Sequence, residues 1–357
     1  MKAAVWHDRL DVRIQDWPEP EPKFGEVKIA VKWCGLCGSD LHEYTDGPTK
    51  SLPSKAPHPL TGQMTPIVQG HELSGEVVKI GEGVTKLKVG DHVVVEPLII
   101  CGKCNACLAG RYNVCEKLGF HGHCGSGGGF AEFTTMPERF VHKLPDNVSY
   151  ETASLFEPLC VVLHAIECGN FKLGMDAVVL GAGPIGQLQI TALKAAGARR
   201  VFCIQRKSER QKFAMLAGAD YLFDPAECDP VAEIKKLTDG GADISFETTA
   251  SQDGWDWGIK CLRKAGTIVQ IGIMMEDVHF NPGYIVDNEI RIQGIIGYRN
   301  LYPAAIQLVS DGRINIDFVI TKKIFIDDLI KEGFELLLSP EKKKHSKIIV
   351  TPDKGLL

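Results

Sequence analysis

Several features are scarce in this 357-residue chain, and each absence narrows what it can be. No stretch of the sequence approaches the roughly 20 consecutive apolar residues of a membrane-spanning helix, so no membrane partner is expected. Excess positive charge is missing too: 40 Lys and Arg stand against 45 Asp and Glu, a net charge of −5. A nucleic-acid platform needs a basic footprint for phosphates, so that class is set aside. The opening MKAAVWHDRL has no apolar run of signal-peptide length, and a cytoplasmic location is the expectation. Without a secretory signal, the 12 cysteines are expected to bind metal or serve catalysis rather than build a disulfide framework.

One further absence is local. The stretch FCIQRKSER ends an apolar, strand-like lead on Gln205, and Arg206 and Lys207 follow at once. Upstream lies the turn GAGPIG, from Gly181 to Gly186. In a dinucleotide-binding turn, an acidic side chain about 20 residues on accepts the hydrogens of the adenosine ribose hydroxyls. Here the acid is missing, and cations stand beside the gap.

At this length two domains are expected. Up to about residue 150 the chain reads as short strands broken by glycine and proline, among them EVKIAVKWCG, ELSGEVVKIG, GDHVVVEP, GGFAEFTTM and RFVHKLP. The apolar, helix-length segment SYETASLFEPLCVVLHAIECG, residues 149–169, marks the boundary. Beyond it strands and helices alternate: DAVVLGAG, PIGQLQITALKAAGA, RRVFCIQ, SERQKFAMLAGA, DYLFD, VAEIKKLTD, ADISFETTA, GIKCLRKAG and TIVQIGI. That alternation implies an α/β domain, a parallel sheet covered on both faces. Two helical segments, PAAIQLVSDG and DLIKEGFELLLS, and a strand, KIIVTP, close the sequence. Periodicity alone does not place this tail. The lysine run EKKKHSK is read as a solvated surface turn.

The segment CGKCNACLAGRYNVC spaces Cys101, Cys104, Cys107 and Cys115 as C-x2-C-x2-C-x7-C. Zinc takes four soft donors at tetrahedral corners, and short C-x2-C steps let one loop wrap the ion. The loop is poor in core-building residues, so a metal is what would order it; the bland alternative is four unrelated thiols. With four thiolates no corner is left for substrate, and this zinc is expected to be structural.

A second donor set is dispersed: Cys37 in GLCGSDLHEY, His71 and Glu72 in GHE, and Glu157 in FEPLC. One thiolate, one imidazole and two carboxylates suit a catalytic zinc that keeps a position free. Sequence spacing cannot show that they converge.

GAGPIG follows the apolar strand DAVVL and opens a helix with Pro184 and Ile185, the context in which a G-x-G-x-x-G reads as a nucleotide turn. Gly181 suits the tight turn, Gly183 the approach of pyrophosphate, and Gly186 close helix–strand packing. Gln205 carries no charge to repel a 2′-phosphate. Arg206 offers a planar fork of donors and Lys207 a point charge, so NADP(H) is expected in preference to NAD(H). Ser208 adds a hydroxyl donor, whereas Arg210 suits NAD sites as well. The bland reading is a solvated basic turn with mixed cofactor use.

GLCGSDLH, GHELSG, the four-cysteine loop, FEPL and GAGPIG stand in the order found in zinc-dependent medium-chain dehydrogenases, which the chain resembles over essentially its whole length. Within that superfamily HEYTDGP, GHELSG, the end of GIIGYR and KIIVTP are similar to 2,3-butanediol dehydrogenases, relatives of the sorbitol dehydrogenases. The resemblance implies two zincs per chain, with Cys37, His71 and Glu157 around the catalytic one and Glu72 as an alternate or exchanging ligand. It implies a discontinuous GroES-like β catalytic domain, residues 1–155 and 300–357, carrying a structural zinc lobe at 98–116. A Rossmann nucleotide domain, residues 156–299, is inserted, with the active site in the cleft between domains.

Ser39 and His42 follow Cys37 at the family's spacing and are expected to carry the alcohol proton away from the metal. The alternatives are a helix N-cap for Ser39 and a plain surface histidine for His42. Thr248, Thr249, Gly272 and the segment Ile296 to Tyr298 are expected by resemblance to flank the nicotinamide. Sorbitol-type relatives carry an arginine where Gly297 precedes Tyr298, and losing that fork of donors disfavours a long polyol. The expected reaction is therefore (R,R)-2,3-butanediol to acetoin and back, by a homodimer or homotetramer. A polyol dehydrogenase and a threonine 3-dehydrogenase are the enzyme alternatives, and a non-catalytic NADPH-binding protein the alternative of another class.

Overall fold

The computed structural model describes residues 1–49, 52–125 and 127–357. The chain forms two compact units: residues 1–157 with 302–310 and 320–357, and residues 158–301 with 311–319. Residues 311–319, expected with the catalytic part, belong instead to the second unit, where Phe318 packs on its core.

The second unit is a six-stranded parallel sheet. Its spatial order is Tyr221–Phe223, Arg200–Ile204, Asp176–Leu180, Ala242–Glu247, Leu262–Gln270 and Arg291–Gly294. Counted in chain order this is 3-2-1-4-5-6, the doubly wound order that leaves a nucleotide crevice where the direction of winding reverses. Both faces are buried. Ala177 and Val179 enter one apolar cluster with Ile190 and Leu193, while Val178 and Leu180 enter another with Phe202 and Ile234. This explains why DAVVL reads as an unbroken apolar run rather than an alternating one. One element differs from expectation. The helix is Gln252–Lys260, and LRKAG already belongs to the strand Leu262–Gln270.

The first unit is built on a mixed, mainly antiparallel sheet. The strand Glu26–Gly35 lies inside it, paired with Glu72–Ile80 and Phe133–Pro137. The tail finds its place here. The strand Lys347–Thr351 lies antiparallel to Glu26–Gly35 and parallel to Ile320–Phe325. Trp33, Ile29 and Leu73 are among the fully buried side chains that this sheet carries. No helix among the described residues is long and apolar enough to cross a membrane.

Candidate active site

In the loop of four cysteines the sulfurs converge. Donors about 2.3 Å from an ion at tetrahedral corners stand about 3.8 Å apart. Here Cys101 and Cys107 sulfurs are 4.0 Å apart, Cys104 and Cys115 3.9 Å, and Cys115 and Cys101 3.5 Å. Backbone N–H groups point at the same atoms: Cys104 N donates to Cys101 Sγ at 3.3 Å and Lys117 N to Cys115 Sγ at 3.4 Å. The Lys103 N–H, aided by that of Cys104, pulls Cys101 down to about 6, whereas burial and neighbouring thiols push Cys107 up to about 12. Four thiolates cannot coexist at this separation without a cation among them, so the donor set fits zinc. All 12 cysteines are free of disulfides.

The dispersed set converges in part. Ligand atoms of Cys37, His71 and Glu72 lie within 4.8 Å of one another, and Glu157 is not in that cluster. The helix Gly38–Asp46 starts just after Cys37, whose N–H donates to Asp40 Oδ2 at 3.0 Å. Cys37 itself is therefore the N-cap, which corrects the N-cap reading of Ser39. Ser39 Oγ instead stands 3.4 Å from His71 Nε2. His42 lies on the half-exposed side of that helix, 3.7 Å from Asp46 Oδ2.

Register delivers Glu72. Gly35 pairs with Glu72 across two antiparallel strands, and a Cβ on Gly35 would stand 1.9 Å from Glu72 Oε2. Only glycine leaves room for the carboxylate to cross its strand. Both oxygens of Glu72 accept from Lys347 Nζ, at 2.7 and 2.8 Å, with the lysine 3% and the glutamate 0% exposed. Lys347 also donates to Leu36 O at 3.2 Å. Burial opposes the charge on Lys347, but Glu72 foremost, then Cys37 and Glu157, raise its pKa above the ordinary value. Glu157 is thus in electrostatic reach, buried in the first turn of the helix Phe156–Cys168. This corrects the reading of EKKKHSK. Lys342 to Lys344 are exposed as expected, but the last lysine of the run is a buried counterion.

Two further neighbours escaped sequence reasoning. Asp40, fully buried, faces His71 Nδ1 at 3.4 Å and His123 Nε2 at 3.8 Å. Burial disfavours a charged His71, yet Asp40's charge outweighs it and raises the pKa well above that of an ordinary histidine. Burial, followed by the charge of His71, drives His123 down to about 4. A carboxylate on the outer ring nitrogen of a ligating histidine fixes its tautomer and orientation. GSDLH and FHGHC carried no spacing that tied Asp40 to His123.

In the second unit the glycine turn is as the motif requires. Gly181 has φ +90°, and Gly183 is the N-cap of the helix Pro184–Ala195, with Pro184 in the first turn and Ile185 behind it. A Cβ on Gly186 would stand 2.1 Å from Gly181 O, so helix and turn touch backbone to backbone. Gln205 lies against this turn: its Oε1 accepts from Ala182 N at 2.8 Å and its Nε2 donates to Arg206 O at 2.7 Å. Arg206 pairs with Asp253, and its guanidinium carbon lies 5.8 Å from the Trp257 ring centroid. Lys207 is exposed. Arg210 Nη1 lies 3.9 Å from the point a Gly183 Cβ would occupy, and burial lowers its pKa. Thr248 Oγ1 donates to Leu180 O at 2.6 Å, and Gly272 fits against Ala250 N. Ile296 is exposed, whereas Tyr298 is fully buried. Glu247, unnoticed in the sequence, accepts from Thr249 N at 2.6 Å and Ala250 N at 3.0 Å and so shapes the loop beyond its strand.

Comparison with known proteins agrees with this architecture. Residues 23–146 match the alcohol dehydrogenase GroES-like domain family and residues 184–311 the zinc-binding dehydrogenase family. The chain is 45% identical to the (R,R)-butanediol dehydrogenase of Bacillus subtilis (strain 168), covering 99% of this chain and 100% of the relative. The (R,R)-butanediol dehydrogenase of Neisseria gonorrhoeae is 40% identical, over 99% and 100%. The crystal structure of 2R,3R-butanediol dehydrogenase from Bacillus subtilis superposes with a TM-score of 0.93 at 45% identity, covering 99% of both chains.

Proposed function

The chain belongs to the zinc-dependent alcohol dehydrogenases, and from that premise we propose that it interconverts a small vicinal diol and its hydroxyketone, (R,R)-2,3-butanediol and acetoin, with NADP(H). The observation that carries the reading is the contrast between the donor sets: four cysteine sulfurs in the loop, but one sulfur, one imidazole and one carboxylate converging at Cys37. Only the second leaves a corner for substrate.

Cys37, His71 and Glu157 hold the catalytic zinc in this proposal. Glu72, both oxygens engaged by Lys347, is the exchanging partner. When bound, zinc polarises the alcohol or ketone oxygen and the nicotinamide carries the two electrons. The chain's own part is positioning and proton transfer. Asp40 orients the His71 ring by its charge, 3.4 Å from Nδ1, and holds the Cys37 backbone by accepting from its N–H. In the proposed relay Ser39 Oγ accepts the hydroxyl proton as its own hydroxyl hydrogen leaves toward His42, whose half-exposed ring beside Asp46 hands a proton to solvent.

Gln205, neutral where a carboxylate would repel a 2′-phosphate, with Arg206 and Lys207 adjoining, supports NADP(H) over NAD(H). Gly297 before Tyr298 supports a short diol over a polyol. Self-association as a homodimer or homotetramer is part of the proposal; the edge strand Arg291–Gly294, with Ile292 and Ile296 exposed, offers a surface for it.

The test is a steady-state panel of acetoin, butanediol, sorbitol and threonine with both cofactors. Acetoin or butanediol with NADP(H) is expected to lead in kcat/KM. A tenfold lead for sorbitol or threonine, about 1.4 kcal/mol of transition-state preference, overturns the substrate assignment.

A further inference from the structure

The cation expected to greet a 2′-phosphate is already engaged. Arg206 Nη2 meets Asp253 Oδ2, and the two side chains are 68% and 56% exposed. Asp253 sits in the first turn of the helix Gln252–Lys260, where its backbone is well anchored. Ser251 caps that helix, accepting from Gly254 N at 3.1 Å, and Gln252 exchanges hydrogen bonds with the His279 backbone at 2.8 and 2.9 Å. Trp257, one turn on, presents its ring to the guanidinium at 5.8 Å. The guanidinium is thus supported from its face, and its N–H edge is the part contested. Gln205 cannot replace the lost donor, because its amide nitrogen is directed to Arg206 O and Ser208 Oγ.

We infer that Asp253 is a specificity-determining residue: its carboxylate competes with the 2′-phosphate of NADP(H) for Arg206 and so moderates the preference over NAD(H). The inference rests on the NADP(H) reading above. A phosphate dianion offers more charge and more acceptor oxygens than a carboxylate, so the phosphate wins the exchange. Winning still requires breaking the pair. An exposed ion pair of this kind shifts an equilibrium by at most about fivefold, which bounds the effect. NAD(H), with free ribose hydroxyls, makes no claim on the guanidinium and leaves the pair intact. Lys207 is exposed and makes no ion pair among the described residues, so it supplies an uncontested charge at the same corner.

Dissociation constants of NADPH and NADH, measured by fluorescence titration of the zinc-loaded enzyme, test this with two exposed substitutions and their combination. Asp253→Asn is expected to tighten NADPH about threefold to fivefold and to change NADH less than twofold. Arg206→Ala is expected to weaken NADPH about tenfold or more and leave NADH nearly unchanged. In the Arg206→Ala background, Asp253→Asn should bring no gain, because the group it competes for is gone. An equal gain in both backgrounds means the carboxylate repels the phosphate directly and overturns the inference. No gain from Asp253→Asn, with Arg206→Ala still harmful to NADPH, overturns the inference and leaves the cofactor reading standing. If Arg206→Ala spares NADPH and the parent enzyme binds NADH as tightly, the cofactor reading falls too.

Discussion

The loop from Cys101 to Cys115 takes all its sulfurs from one short stretch, and their convergence is local. The site at Cys37 draws His71 and Glu72 from another strand region and a counterion, Lys347, from 275 residues beyond Glu72. A closed set of like donors needs nothing from the rest of the protein except to be left alone. An open set of unlike donors must have its charges balanced and its rings aimed by groups that the fold delivers from elsewhere, here Lys347 and Asp40. The contrast teaches that a closed donor set is a property of a segment, whereas an open one is a property of a sheet.

Three substitutions press on that contrast. The largest effect is expected from His71→Ala, which removes a donor of the open set. Turnover should fall about 10⁴-fold, roughly 5 kcal/mol in the barrier, while metal analysis still finds the loop's zinc. Retention of both zincs and of activity would remove His71 from the site. Next is Lys347→Met. Leaving Glu72 buried and unpaired should cost about 3 kcal/mol in urea unfolding, and adding Glu72→Gln should restore most of it. Equal losses in the single and double variants would mean that the lysine's packing matters and its charge does not. The smallest effect is expected from Cys104→Ser: one zinc lost per chain and about 1–2 kcal/mol of stability, with kcat/KM within about threefold. A collapse of activity would show that the loop is not the self-contained element its geometry describes.

The same contrast explains what could be read in advance. The loop was legible because its spacing is its geometry. The parallel sheet was legible because double burial leaves unbroken apolar strands such as DAVVL, and the turn because Gly181 and Gly186 have no substitutes. Cys37 and His71 were nameable, yet their meeting came from the resemblance alone, since register between distant strands leaves no local mark. Lys347 was misread for that reason. A lysine at the end of a charged run looks solvated until the carboxylate facing it is known. Likewise Gln205 and Arg206 raised the expectation of a 2′-phosphate contact, but Asp253, 47 residues away from Arg206, was silent.

The strand Lys347–Thr351 lies in the interior of its sheet, between Glu26–Gly35 and Ile320–Phe325. During synthesis on the ribosome, the amino-terminal half of that sheet must therefore wait, one edge uncovered and Glu72 without its cation, while the whole nucleotide-binding unit is translated. The reactive centre is finished only when the tail emerges and threads home, so a nascent chain stalled short of Lys347 would carry an unclosed sheet edge for chaperones to guard.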